Sequence, residues 1–223
     1  MASEQTIPQP EGTVLPALWL RPDDARLCLV LAHGAGAGMR HRGMTGLAEG
    51  LAGRGVATLR YEFPYMAKGG RRPDSPAVAQ AAVRAAVAKG RELAGDLPLF
   101  AGGRSFGGRM TSQAQAAEPL AGLRGLVFFA FPLHPAGKPG TERAAHLAQI
   151  EVPMLFLQGT RDALATLDLL EPVVEGLGAR ATLVLAEDAD HSFHVPRSTG
   201  RTDAEVLDGL LDAAAGWMGA LRP

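Results

Sequence analysis

Ala101-Gly102-Gly103-Arg104-Ser105-Phe106-Gly107-Gly108 decides the fold of this chain, because it sets one serine between two glycines where a strand gives way to a helix. Leu97-Pro98-Leu99-Phe100-Ala101 before it is a short apolar run, and Arg109 to Ala117 after it suits a helix. Gly103, Ser105 and Gly107 match the G-x-S-x-G pattern of a serine held clear of a sheet on a strained turn. The flanking glycines are needed because a Cβ at either position would collide with the neighbouring helix or strand. In a chain with 28 glycines the motif by itself is weak, and a serine in a Gly-rich turn is the competing reading. The residues around it must decide.

Working outward, apolar runs alternate with helix-compatible segments. Residues 1 to 12 are polar and Pro-containing and read as a flexible lead-in; 13 to 223 read as one α/β domain. Val14–Leu20 and Leu27–Ala32 read as strands joined through Arg21-Pro22-Asp23-Asp24, an antiparallel start. A helix near Thr45–Ala52 precedes a strand over Gly55–Tyr61, and Ser75-Pro76 opens the next helix, with serine as cap and proline at the first helical position. Gly125–Ala130, Val152–Leu157 and Ala181–Leu185 complete the strands, and helices are expected near Leu167–Leu177 and Ala204–Leu221. Wholly apolar strands such as Leu126-Val127-Phe128-Phe129 are buried on both faces, so the pattern predicts a mostly parallel sheet with helices on both sides.

A serine hydroxyl needs a base within hydrogen-bond reach and a carboxylate to orient that base. In an open parallel sheet such groups gather at the carboxyl ends of strands. Asp162 follows Val152–Leu157 directly, and His191 follows Ala181–Leu185, so both are predicted on the edge that carries Ser105. Asp162 alone could be a helix cap and His191 alone a solvated loop residue; their arrival in the order Ser, Asp, His favours catalysis. His194 competes for the base, but His191 lies nearer its strand. The corner His33-Gly34-Ala35-Gly36 after Leu27–Ala32 supplies a further expectation: the N–H groups of Ala35 and Phe106 form an oxyanion hole. Gly34-x-Gly36-x-Gly38 lacks the G-x-G-x-x-G spacing, and no G-x-x-x-x-G-K-[ST] occurs, so nucleotide binding is not expected.

At these positions the chain resembles the α/β-hydrolase superfamily. The resemblance rests on Leu31-Ala32-His33-Gly34-Ala35-Gly36, Gly103-Arg104-Ser105-Phe106-Gly107, Gly159-Thr160-Arg161-Asp162 and Asp190-His191-Ser192-Phe193. Within it the chain is similar to the small, lidless dienelactone-hydrolase-like branch, in which the true dienelactone hydrolases carry a cysteine where this chain has Ser105. The resemblance implies a three-layer sandwich without a cap domain and acyl-ester hydrolysis on a small-molecule substrate, with no cofactor and no metal. Gly102 to Arg109 also resembles a subgroup that includes a chromatin-complex subunit, which keeps a non-catalytic interaction module as an alternative, beside a cofactor-free perhydrolase.

Composition narrows the partners. The chain has 223 residues, a formal net charge of −1 and charges scattered along its length, so neither nucleic acid nor an anionic membrane is an expected partner. Its single cysteine, Cys28, cannot pair within the chain and reads as a buried apolar residue; with no signal-like start, the expected compartment is the cytoplasm. The loop Phe131-Pro132-Leu133-His134-Pro135 and the short segment after it are too small for a lid, so an open site is expected, rimmed by that loop and by Tyr65 to Arg72.

Overall fold

The chain alternates strand and helix along most of its length. The computed structural model describes residues 1–9 and 12–221. Among the described residues, eight strands form one sheet in the order β1-β2-β4-β3-β5-β6-β7-β8: β1 (Ser3–Pro8), β2 (Val14–Leu20), β3 (Leu27–Ala32), β4 (Val56–Tyr61), β5 (Leu99–Arg104), β6 (Leu123–Phe129), β7 (Met154–Gly159) and β8 (Ala181–Ala186). From β4 across to β8 every pairing is parallel, while β2 is antiparallel to both β1 and β4. The helices are α1 (Arg42–Ala52), α2 (Pro64–Ala67), α3 (Pro76–Ala94), α4 (Phe106–Ala117), α5 (Leu167–Leu177) and α6 (Asp203–Ala220), with a 3-10 segment at Glu142–Gln149.

Strand alternation divides the core into two layers. In β3, Leu27, Leu29 and Leu31 point to one face and Cys28, Val30 and Ala32 to the other, and all six are buried. The first face meets Met44, Leu47 and Leu51 of α1 and Val206, Leu210, Leu211 and Met218 of α6. The second meets Ala79, Ala82, Val83 and Ala86 of α3, Met110 and Ala114 of α4, and Leu170 and Val174 of α5. Phe128 is fully buried against Phe131 and Phe156, with ring centroids 5.4 and 5.0 Å away. Burying one such side chain stabilises the fold by about 1.5–3 kcal/mol. Burial holds the Cys28 thiol up at about 12, so it stays a neutral core residue.

Three expectations need correction. The lead-in contains a strand: Ser3–Pro8 pairs along its whole length with Val14–Leu20. Its six residues bury only Ile7, too weak an apolar signal to read as a strand; the ladder to β2 supplies what burial does not. The pairing of β2 also differs, because β4 lies between β2 and β3 and the two successive strands are not neighbours. Finally, Ser75 sits at the N-cap of α3 with Pro76 following, yet its side chain makes no capping bond.

Element ends shift by a few residues, and one shift matters. The strand before the serine runs to Arg104 rather than stopping at Ala101, so Gly102 and Gly103 belong to the sheet. Between β6 and β7 lie only a loop and the 3-10 segment, without a cap domain.

Candidate active site

Ser105 stands at the carboxyl end of β5 with φ 49° and ψ −115°, a conformation that is costly for any residue with a Cβ. Its surroundings hold it there: the Ser105 N–H donates to the Phe129 carbonyl at 2.9 Å, and its own carbonyl accepts the Arg109 N–H at 3.1 Å. The turn works only with Gly107, where a Cβ would fall 2.6 Å from the carbonyl oxygens of both Ala32 and His33. At Gly103 a Cβ would lie 2.8 Å from that of Ala32. The close approach of β5 and of the start of α4 to the end of β3 therefore requires Gly103 and Gly107 respectively.

His191 and Asp162 arrive from the ends of β8 and β7. His191 Nε2 lies 2.8 Å from Ser105 Oγ, and Nδ1 lies 2.7 Å from Asp162 Oδ2. A carboxylate can only accept, so Nδ1 carries the proton and Nε2 presents a lone pair to the serine hydroxyl. Asp162 is 2% exposed, and its orientation is fixed by the Leu164 N–H on Oδ1 at 2.8 Å and by the Gln158 amide on Oδ2. Gln158 is in turn set by the Phe131 N–H on its Oε1 at 2.9 Å. Sequence reading did not single out Gln158, which falls inside β7; its signal is one polar residue within the apolar strand Met154–Gly159.

The loop carrying His191 is a tight turn built on Asp190. Its Oδ1 accepts the Ser192 N–H at 2.7 Å and the His194 N–H at 3.0 Å. His194 faces away, with Nδ1 2.9 Å from Asp203 Oδ2 at the start of α6. Hydrogen bonding to Asp203 raises its pKa above the ordinary histidine range, and both side chains are exposed. Of the two histidines, then, His191 is the one beside the serine.

The corner after β3 lies against the same serine. A Cβ on Gly34 would sit 3.8 Å from Ser105 Cβ, so the corner packs close to the serine. Among the described residues, the N–H groups of Ala35 and Phe106 donate to no protein acceptor. Neighbouring groups brace the corner from below. The Phe63 N–H donates to His33 Nε2 at 3.1 Å, which leaves Nδ1 to donate to the Gly34 carbonyl at 2.8 Å. The Gly36 N–H donates to the Tyr65 hydroxyl at 3.1 Å, and the Met39 N–H to Glu62 Oε1 at 3.0 Å. Tyr65 is 6% exposed and belongs to this support rather than to an exposed rim; burial raises its pKa. Arg71 and Arg72, by contrast, are exposed.

Ser105, His191 and Asp162 thus form one hydrogen-bonded chain, an arrangement able to move a proton off the serine. The model of the alpha/beta hydrolase domain family matches residues 25–219. Among solved structures, a dienelactone hydrolase from Anabaena variabilis superposes with a TM-score of 0.78 at 19% identity, covering 99% of this chain and 97% of the other. An alpha-beta serine hydrolase homologue from Coxiella burnetii gives 0.76 at 21% identity, covering 95% and 96%. A lidless serine hydrolase from Xanthomonas campestris gives 0.74 at 22% identity, covering 97% and 94%. These likenesses speak for the fold, and the family match covers most of the sequence: the chain belongs to the alpha/beta hydrolase family.

Proposed function

We propose that this hydrolase cleaves a small carboxylic ester or thioester through an acyl-serine. The observation that carries the reading is the hydrogen-bonded chain from Asp162 through His191 to Ser105 Oγ. As Oγ attacks the substrate carbonyl carbon, His191 Nε2 takes the serine proton, and the charge on the former carbonyl oxygen falls to the N–H groups of Ala35 and Phe106. The bond to the leaving alcohol or thiol then breaks, and the leaving group departs with the proton from His191. Water repeats the sequence: His191 takes its proton, the oxygen adds to the acyl carbon, and Oγ leaves and recovers the proton as the carboxylic acid is released. Asp162 keeps the imidazole in the tautomer that both half-reactions need.

The substrate in this reading is a small molecule, with neither nucleic acid nor membrane as partner. Among the described residues no helix is long and apolar enough to cross a membrane. The lone buried Cys28 suits a reducing compartment, and we place the protein in the cytoplasm. An interaction module or a perhydrolase would share this scaffold, but no observation here favours either over hydrolysis. The test is stopped-flow hydrolysis of p-nitrophenyl acetate. The expected result is a burst approaching one p-nitrophenolate per chain, lost in Ser105→Ala; a Ser105→Ala protein that turns over at the wild-type rate overturns the reading.

A further inference from the structure

Gln158 is the one polar side chain that β7 carries between Met154 and Gly159, and it is fully buried. Beside it, β6 and β7 pair as far as Phe129 and Leu157, and the Ala130 N–H closes the ladder on the Leu157 carbonyl at 2.8 Å. Ala130 has φ 57°, a left-handed conformation that is costly for a residue with a Cβ, and the next N–H, that of Phe131, donates to Gln158 Oε1 at 2.9 Å. That bond decides which way round the amide lies. An N–H must meet the carbonyl oxygen, so the amino group is left to donate to Asp162 Oδ2. The reverse orientation would set N–H against N–H and oxygen against carboxylate.

Asp162 Oδ2 therefore serves two donors, Gln158 Nε2 and His191 Nδ1 at 2.7 Å, while Oδ1 serves the Leu164 N–H at 2.8 Å. The sharing matters once His191 holds the serine proton, because the imidazolium is then held by Oδ2. A hydrogen bond to an ionised group stabilises its charge in place, so an oxygen already bonded by an amide is a weaker partner for the imidazolium. An apolar residue at this position would leave the Phe131 N–H unpaired and give the whole of Oδ2 to the imidazole.

We infer that Gln158 is a positioning residue that sets the strength of the base: its amide takes up part of the charge on the Asp162 oxygen facing His191, and so keeps the imidazole neutral to lower pH. It acts through Asp162 and His191. The inference rests on the reading of Ser105, His191 and Asp162 as the catalytic chain. Other ionisable side chains stand on the elements around the pair: His33 at the end of β3, Arg104 before Ser105, His134 on the loop after β6, Arg161 before Asp162 and Asp190 before His191. All are kept in the variants that test it, so a difference from wild type belongs to Gln158.

The test is the pH profile of kcat/KM for p-nitrophenyl acetate, which rises as the base becomes neutral. In Gln158→Met, close in size but without a donor, the pH of half-maximal kcat/KM should move up by roughly half to one unit, the scale of a lost hydrogen bond to a charged group. Gln158→Asn, one methylene short of Asp162, should move it in the same direction, and it decides the matter should Gln158→Met fail to fold. The sign separates this role from a merely structural one, since a loosened Asp162 would hold the imidazolium less well and move the profile down. A midpoint that is unmoved or lowered in the folded variants overturns the inference while leaving the serine hydrolase standing. A wild type that does not hydrolyse the ester at any pH overturns the hydrolase reading itself.

Discussion

The Tyr65 hydroxyl accepts the Gly36 N–H at 3.1 Å, so a residue of α2 holds in place the corner that carries Ala35. Tyr65→Phe removes that acceptor and nothing else of size. Its folding cost should be about 1 kcal/mol. The expected kinetic effect is a fall in kcat at nearly constant KM, bounded by the roughly 10²- to 10³-fold lost with a whole oxyanion donor. Steady-state kinetics with p-nitrophenyl acetate measure the split; a raised KM at unchanged kcat would show that the corner serves substrate binding instead.

Removing the base should be far more damaging than removing its neighbour. His191→Ala is expected to lower kcat by roughly 10²- to 10⁴-fold, the usual share of general acid–base catalysis. His194→Ala breaks only an exposed pair with Asp203 and should leave kcat close to wild type. Parallel assays of the two variants decide it, and the reverse ranking would transfer the base to His194.

Much of this site was legible in the sequence because the chemistry falls on strand ends. Ser105, Asp162 and His191 each follow an apolar run, and the order of the runs places them on one sheet edge. What stayed hidden depends on pairing between distant segments. Ser3–Pro8 buries one side chain and becomes a strand only through its ladder to β2, a contact no local pattern encodes. Tyr65 follows Pro64 at the head of a Gly- and Arg-rich stretch and reads as loop, yet the corner at Gly36 draws it inward. Gln158 orients Asp162 from inside a strand, where one polar residue among apolar ones gives no hint of what it faces.

Stability should depend on pH through His146. Its folded pKa, held down at about 4 by burial and then by Arg109, lies below the ordinary value of about 6.5. In the window between them the unfolded chain binds the extra proton, so the contribution of neutral His146 is full above the upper value and is lost as pH falls toward the lower. Thermal melts of wild type and His146→Gln across that window should converge at the acid end. A histidine resonance titrating at the ordinary value would contradict this.

Chain length of the acyl group reports on how open the site is. Only a loop and a short 3-10 segment separate β6 from β7, so little apolar surface is available to a long acyl tail. A pocket that buried each added methylene would raise kcat/KM by roughly fourfold per step, from about 0.8 kcal/mol each. The expected profile for neutral p-nitrophenyl esters from acetate to palmitate peaks at short chains, without a jump at the micellar transition. A steady rise with length would reveal an apolar channel.

The central claim is that Ser105, activated by His191, is the residue that takes the acyl group. Incubation with a fluorophosphonate followed by peptide mass mapping tests it most directly, since covalent capture needs the nucleophile, the base and the oxyanion donors together. The account predicts one adduct per chain on Ser105, abolished in Ser105→Ala and strongly slowed in His191→Ala. An intact protein after prolonged incubation, or an adduct on any other residue, would contradict it.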